Sequence, residues 1–198
     1  KMNLELLLSN HDKHCLSCVR NQNCELQKLC LDLGVEDGDR FAGAMNKYDV
    51  DDLSPSIVRN NNKCVLCRRC VAACGAVQGI GVIGPVYRGF NTAIESPWNM
   101  PLVDMACINC GQCIAACPTG ALHEKDSTKE VWDLLADPKK HVVVQPAPAV
   151  RAAWAEYFGL RPEQAAPGVL ASALRELGFD YVFDTNFSAD LTIMEEGS

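Results

Sequence analysis

Two stretches decide how this chain folds: CVLCRRCVAAC at residues 64–74 and CINCGQCIAACP at residues 107–118. Each carries the spacing C-x2-C-x2-C-x3-C, and the second copy begins 43 residues after the first. The chain holds twelve cysteines in 198 residues. Its opening, KMNLELLLSN, is too short and, at Glu5, too polar for a secretory signal. The cysteines are therefore expected as thiols in a reducing, cytoplasmic setting, where dense cysteine serves metal more often than disulfides. The alternative is six disulfides in an exported protein.

The spacing, with Pro118 after the last cysteine of the second copy, is the bacterial ferredoxin pattern for 4Fe-4S clusters. Three closely spaced cysteines wrap three corners of a cube, and in this pattern the fourth cysteine of each copy ligates the other cluster. One set is thus Cys64, Cys67, Cys70 and Cys117; the other is Cys107, Cys110, Cys113 and Cys74. Val65, Val71, Ile108 and Ile114 are expected to form an apolar shell, while Ala72, Ala73, Ala115 and Ala116 let backbone approach. Gly75 stands where the second copy has proline, so that turn is made differently. Zinc is the competing metal, but two four-cysteine runs this tight suit cubes better than tetrahedra. Arg68 and Arg69, between Cys67 and Cys70, read equally as a solvated pair or as charges that raise a cluster potential or dock an acidic ferredoxin.

Upstream, NHDKHCLSCVRNQNC at residues 10–24 offers three more cysteines, Cys15, Cys18 and Cys24. The fourth donor is open among His11, His14, Cys30 or a group from elsewhere in the fold. His14 adjoins Cys15 and should face away. Cys30 lies on a helix expected over Glu25 to Leu33, where Leu26, Leu29 and Leu33 suggest core packing. His11, with three residues between it and Cys15, is the favoured candidate, and imidazole is an ordinary iron ligand. Replacing one thiolate by a neutral imidazole takes the oxidised centre from about −2 to about −1, which favours reduction.

A net charge of −7 argues against a nucleic-acid binder, and no apolar run is long enough to span a bilayer. Leu4, Leu7 and Leu8 suit one face of a short helix. Residues 36–52, acidic and aperiodic, read as a linker whose charges are merely solvated. GIGVIGPVYRGFNTAI suggests short strands and turns. STKE at residues 127–130 fits a capping box opening a helix to about Ala136. From His141 the texture becomes α/β: HVVVQ and YVF as parallel strands, Pro148 to Phe158 and Gly168 to Leu177 as helices closed by glycine. QPAPA and DTN should then share the rim beyond the strands' carboxyl ends. Lys1 in place of Met, and an ending within an apparent helix, suggest part of a longer protein.

H-x3-C-x2-C-x5-C, followed by the twin ferredoxin motifs and by VVVQPAPAVRAA and LGFDYVFDTNFSADLTIMEEGS, resembles FeFe-hydrogenase large subunits from His11 onward. The resemblance implies an α+β protein in three parts: residues 1–53, a small 4Fe-4S module with one histidine and three cysteine ligands; residues 54–138, a ferredoxin-like domain with two 4Fe-4S clusters; residues 139–198, the beginning of an α/β H-cluster domain. It implies an oxidoreductase relaying electrons to an H-cluster, where protons are reduced or hydrogen is oxidised. It also implies a multisubunit, electron-bifurcating or NAD(P)-linked assembly, with flavin and NAD(P)-binding subunits, small iron-sulfur subunits and ferredoxin as partners. Ala147, Pro148 and Ala149 match the loop lining the di-iron site, where many members carry serine at the place of Ala149; read bare, PAPA is a strand-to-helix turn. No cysteine follows Cys117, so the H-cluster's cysteine motifs are not in this stretch, nor is the 2Fe-2S domain that often precedes His11. The alternatives are a large iron-sulfur subunit of NADH or formate dehydrogenase, which shares the histidine module, and a stand-alone ferredoxin-like carrier.

Overall fold

The computed structural model describes residues 1–197. It is a mixed helix and strand protein made of two compact units, Lys1–Lys125 and Asp126–Ser198. Among the described residues no helix is long and apolar enough to cross a membrane.

The first unit opens with helix α1 (Met2–Leu8) and, after the cysteine loop, helix α2 (Glu25–Asp32). Leu4 and Leu8 of α1 bury against Leu26 of α2. Leu7, expected on the same face, is 43% exposed, whereas Glu5 is buried and accepts from Arg40 Nη1 at 3.0 Å. Gly34, at φ +59, ends the turn after α2 in the left-handed region that glycine enters without steric cost.

The two repeats form the body of this unit. Strands β1 (Ile57–Arg59) and β4 (Leu122–Glu124) pair antiparallel, with Val58 opposite His123, and so bring the start of the first repeat to the end of the second. Between them lie helix α3 (Arg69–Ala72) with a π-helical turn through Val77, the hairpin of β2 (Gly84–Val86) and β3 (Ala93–Glu95), and helix α4 (Gln112–Ala116). The buried core is Ile57, Val82, Ile83, Ile94, Leu102, Ile114 and Leu122 with Cys70, and other repeat cysteines pack against it. The core is therefore a shell around sulfur rather than a solid apolar centre.

Residues 36–52 form no helix, and only Asp51 makes a β-bridge, yet solvation does not account for all of their charges. Asp51 is bridged through its backbone to Arg59, and its Oδ2 accepts from Arg59 Nη2 at 3.3 Å and from the Leu102 amide at 3.0 Å. Asp39 pairs with Lys13, and the amides of Asn46 and Tyr48 donate to Asn10 and Asn62 side chains. Asp39 and Asp51 act as pins, because long-range pairing leaves no local sequence trace, while Glu36, Asp37, Asp49 and Asp52 are exposed as the solvated reading expects.

The second unit starts with α5 (Thr128–Ala136). The capping box does not form: Ser127 makes no side-chain cap, and Asp126 Oδ1 instead accepts from the Thr128 amide at 2.9 Å and from its hydroxyl at 2.6 Å. A carboxylate one residue earlier supplies a stronger acceptor than the serine hydroxyl. Strands β5 (Val143–Val144) and β6 (Tyr181–Val182) pair in parallel, as expected. Helices α6 (Pro148–Tyr157), α7 (Pro167–Glu176) and α8 (Thr185–Glu196) complete it, with Pro148 and Pro167 at first helical positions where a missing amide hydrogen costs nothing.

Asp51 and Arg59 side chains are 10% and 6% exposed. Asp51→Ala strands the guanidinium and should destabilise the cluster-loaded protein by about 3–5 kcal/mol; chemical denaturation measures it, and a loss below about 1 kcal/mol would place that charge pair among idle ones.

Candidate iron-sulfur centres

Cys64, Cys67 and Cys70 from the first repeat and Cys117 from the second line one cavity of about 20 Å³, walled by Ile83, Ile94 and Leu122. Cys107, Cys110 and Cys113 with Cys74 line another of about 20 Å³, walled by Ile57, Val82 and Leu102. The structure thus groups the eight repeat cysteines in the exchanged sets that the motif suggests.

Backbone conformation explains how each loop turns three sulfurs inward. Leu66 (φ 56) and Arg68 (φ 61) are left-handed, and so are their counterparts Asn109 (φ 55) and Gly111 (φ 72). These bends wind each C-x2-C-x2-C segment about its cavity. Asn109 and Gly111 tolerate that region well, while Leu66 and Arg68 cost on the order of 1–2 kcal/mol each, a strain tolerated where a functional loop demands it. Ser54 and Ser56 hydroxyls donate to Asn109 Oδ1 at 3.0 and 3.1 Å and fix the second loop.

Burial, reinforced by neighbouring thiolates, pushes the Cys70 thiol up to about 12 and the Cys64 and Cys113 thiols to about 11. Without metal these groups are neutral thiols, so several thiolates need not share an apolar hole; metal binding must then release their protons. Among the described residues no three His, Cys, Asp or Glu side chains converge on a single-ion position. Donors spread around apolar cavities fit a cube, whose corners are separated, in both cysteine number and chemistry.

The opening loop builds a third site. His11, Cys15, Cys18, Cys24 and Cys30 all border one cavity of about 600 Å³, closed at its apolar end by Leu8 and Leu26. His11 is 7% exposed, and its Nδ1 has no hydrogen-bond partner in the protein. Burial, with help from Lys63, pulls its pKa down to about 4, Asp12 opposing. The ring is therefore neutral at pH 7, which is the form that binds metal. An orphaned buried imidazole nitrogen beside three thiols fits a cube as a fourth donor. His14 is exposed and paired with Asp12. Cys30 packs against the Leu4, Leu8 and Leu26 cluster as expected, but Leu29 and Leu33 are 45% and 50% exposed, and Cys30 also borders the cavity.

This third site touches the repeat that holds Cys117. A Cβ on Gly120 would stand 2.9 Å from Cys18 Sγ, so glycine is required for that close approach. The nearby Thr119 hydroxyl donates to Lys63 O at 2.7 Å, and Lys63 Nζ lies 3.0 Å from Asp12 Oδ2 with only 12% of its side chain exposed. Arg20 Nη2 donates to Ile114 O at 3.2 Å. Arg69 Nη1 reaches both Glu25 oxygens, at 2.7 and 2.9 Å, and so links the repeat to α2 through a half-exposed ion pair. Sequence reasoning missed Gly120, Lys63 and Arg20, since nothing in their immediate neighbourhood marks them.

In the second unit Ala147, Pro148 and Ala149 are exposed where α6 begins. QPAPA and DTN do share a rim: Thr185 Oγ1 donates to Pro146 O at 2.7 Å and Gln145 Nε2 to Ser188 Oγ at 2.8 Å. Arg151 forms a two-point pair with Asp184 beside a cavity of about 210 Å³.

Three families match successive parts of the chain. Residues 1–39 match the NADH-ubiquinone oxidoreductase-G iron-sulfur binding region, residues 63–121 the 4Fe-4S dicluster domain, and residues 140–198 the C-terminal domain of the iron only hydrogenase large subunit. The NADP-reducing hydrogenase subunit HndD of Solidesulfovibrio fructosivorans is 51% identical over 98% of the chain and 33% of its own length. Iron hydrogenase 1 of Clostridium pasteurianum is 38% identical over 100% of the chain and 34% of its own length. The chain spans about a third of these relatives. Among solved structures, an NAD+-reducing [NiFe]-hydrogenase in the H2-reduced state matches with TM-score 0.58 at 26% identity, over 63% of this chain and 53% of that one.

Iron retention tests the exchanged grouping. Cys64→Ala combined with Cys117→Ala is expected to remove one cluster, about four irons, whereas Cys74→Ala combined with Cys117→Ala removes two; equal losses in the two double variants would refute the grouping.

Proposed function

The chain belongs to the iron-only hydrogenase large-subunit family, and from that membership we propose that it relays electrons through three 4Fe-4S clusters to the H-cluster of a hydrogenase. One cluster is held by His11, Cys15, Cys18 and Cys24, one by Cys64, Cys67, Cys70 and Cys117, and one by Cys107, Cys110, Cys113 and Cys74. The observation that carries this reading is the set of three cavities, each bordered by one such donor set.

Bound clusters supply one-electron transfer; the chain's residues decide where and at what potential. Apolar walls from Ile83, Ile94 and Leu122 back the Cys64 site, and those from Ile57, Val82 and Leu102 the Cys107 site, while Cys67 and Cys110 stand exposed at the outer side of each. On the walled side net charge weighs more in the potential. The neutral imidazole of His11 leaves its site less negative than four thiolates do. Lys63, half-buried next to Cys64 in the chain and paired with Asp12, adds positive charge beside His11. The contact of Gly120 with Cys18 brings the chain next to Cys117 against the histidine site.

The complete protein is proposed to interconvert protons and hydrogen, coupled to NAD(P), ferredoxin or both, in a complex with flavin and NAD(P)-binding subunits and small iron-sulfur subunits. The names of its relatives, one an NADP-reducing hydrogenase, support this. Ala147, Pro148 and Ala149 are proposed to border the di-iron unit, supported by their place on the rim beyond β5 and by the hydrogenase match over residues 140–198. A division into three parts is supported by the three family matches, one inside each, whereas the compact units divide between residues 125 and 126, which groups α5 with the last part. The NADH dehydrogenase reading draws on residues 1–39 and on a 36% identity over 121 residues to an NADH-quinone oxidoreductase polypeptide of Rhizobium meliloti. It lacks the match over residues 140–198 that favours a hydrogenase.

In the full-length complex, Cys67→Ala should cut hydrogen-driven reduction of NAD(P) or ferredoxin by at least about tenfold while hydrogen–deuterium exchange at the H-cluster persists. A protein that neither exchanges nor consumes hydrogen would sink the hydrogenase reading. His11→Cys should lower the midpoint potential of its cluster in a spectroscopic redox titration, since it adds one negative charge; a higher potential with the cluster intact would contradict the charge argument.

A further inference from the structure

We infer that Cys30 is a fifth donor of the histidine site, positioned to occupy the cluster's fourth corner in place of His11. This rests on the reading that a cube is held there. A cube with three cysteine ligands leaves one corner to fill, yet two further donors, His11 and Cys30, border the same 600 Å³ cavity. Cys30 stands one helical turn after Leu26 on α2, and both face the hole because residues four apart share a helix face. Cys24 and Cys30 both pack against the Leu4, Leu8 and Leu26 cluster, whose Leu8 and Leu26 border this cavity. The independent sign that a ligand belongs in this hole is His11, 7% exposed with Nδ1 unpartnered.

The exchange balances without oxidant or reductant. The iron–nitrogen bond breaks, an iron–sulfur bond forms, and the Cys30 thiol proton passes to water. The thiolate form carries one more negative charge than the imidazole form and is harder to reduce. The site thus holds two ligand sets of different potential.

The test is His11→Ala in the full-length protein, with His11→Ala/Cys30→Ala beside it. In the single variant the iron content should equal that of the unsubstituted protein. The imidazole nitrogen hyperfine coupling of the cluster should vanish, its midpoint potential should fall, and Cys30 should become protected from alkylation. The double variant should lose about four irons relative to the unsubstituted protein. The inference is overturned if the single variant loses those irons as fully as the double while the other two clusters remain, which also shows that the chain still folds. It is equally overturned if both variants keep all their iron. If the unsubstituted protein shows no nitrogen coupling at all, the assignment of His11 as ligand fails first, and the exchange with it.

Discussion

Everything in the first unit depends on thiols that must be gathered from two distant parts of the chain around apolar holes. Three sulfurs of each set come from one tight loop and the fourth from the other repeat, so neither site is complete unless the repeats lie side by side. The antiparallel pair β1–β4 enforces that arrangement from outside, and Ile57, Ile83 and Leu122 fill the space between the sites from inside. A unit of this size with so few solid apolar contacts at its centre needs its inorganic core as a structural member, much as small metal-binding domains do.

Electrostatics follows from the same burial. Neutral thiols with raised pKa values let the polypeptide approach its final shape before metal arrives, because no group of like charges has to be desolvated together. The half-buried Lys63–Asp12 pair then joins the sequence neighbours of His11 and Cys64, one from each site. Removing either charge would leave the other stranded, which ties the local potential to the integrity of the fold. The left-handed Leu66 and Arg68 carry backbone strain at the place where the loop must curl most tightly.

The histidine module is attached by many small links instead of one extensive interface. Arg69 with Glu25, Arg20 with the Ile114 carbonyl, and Gly120 against Cys18 each span a gap between segments far apart in sequence. The acidic stretch of residues 36–52, which has the composition of a free linker, is itself pinned by Asp39, Asn46, Tyr48 and Asp51. Together these hold the loop that carries Cys15 and Cys18 against the second repeat.

The amino-acid sequence by itself determined the donor-rich spacings, the repeat, the helices that end at Gly34, Gly159 and Gly178, and the parallel pair with its shared rim. The spacings and helix ends have causes that act within about ten residues, namely ligand reach, helical period or a turn that needs glycine, and the parallel pair follows from the rule that strand, helix and strand connect in one hand. The tertiary structure alone decided that Cys30, packed on Leu4, Leu8 and Leu26, also borders the cavity. It also decided that Asp126 and not Ser127 caps α5, that Glu5 and Asp51 are buried charges, and that Gly120 must lack a side chain. Those outcomes depend on which distant group arrives opposite, and a burial or an ion pair made between segments far apart in sequence leaves no periodic trace in the chain that makes it.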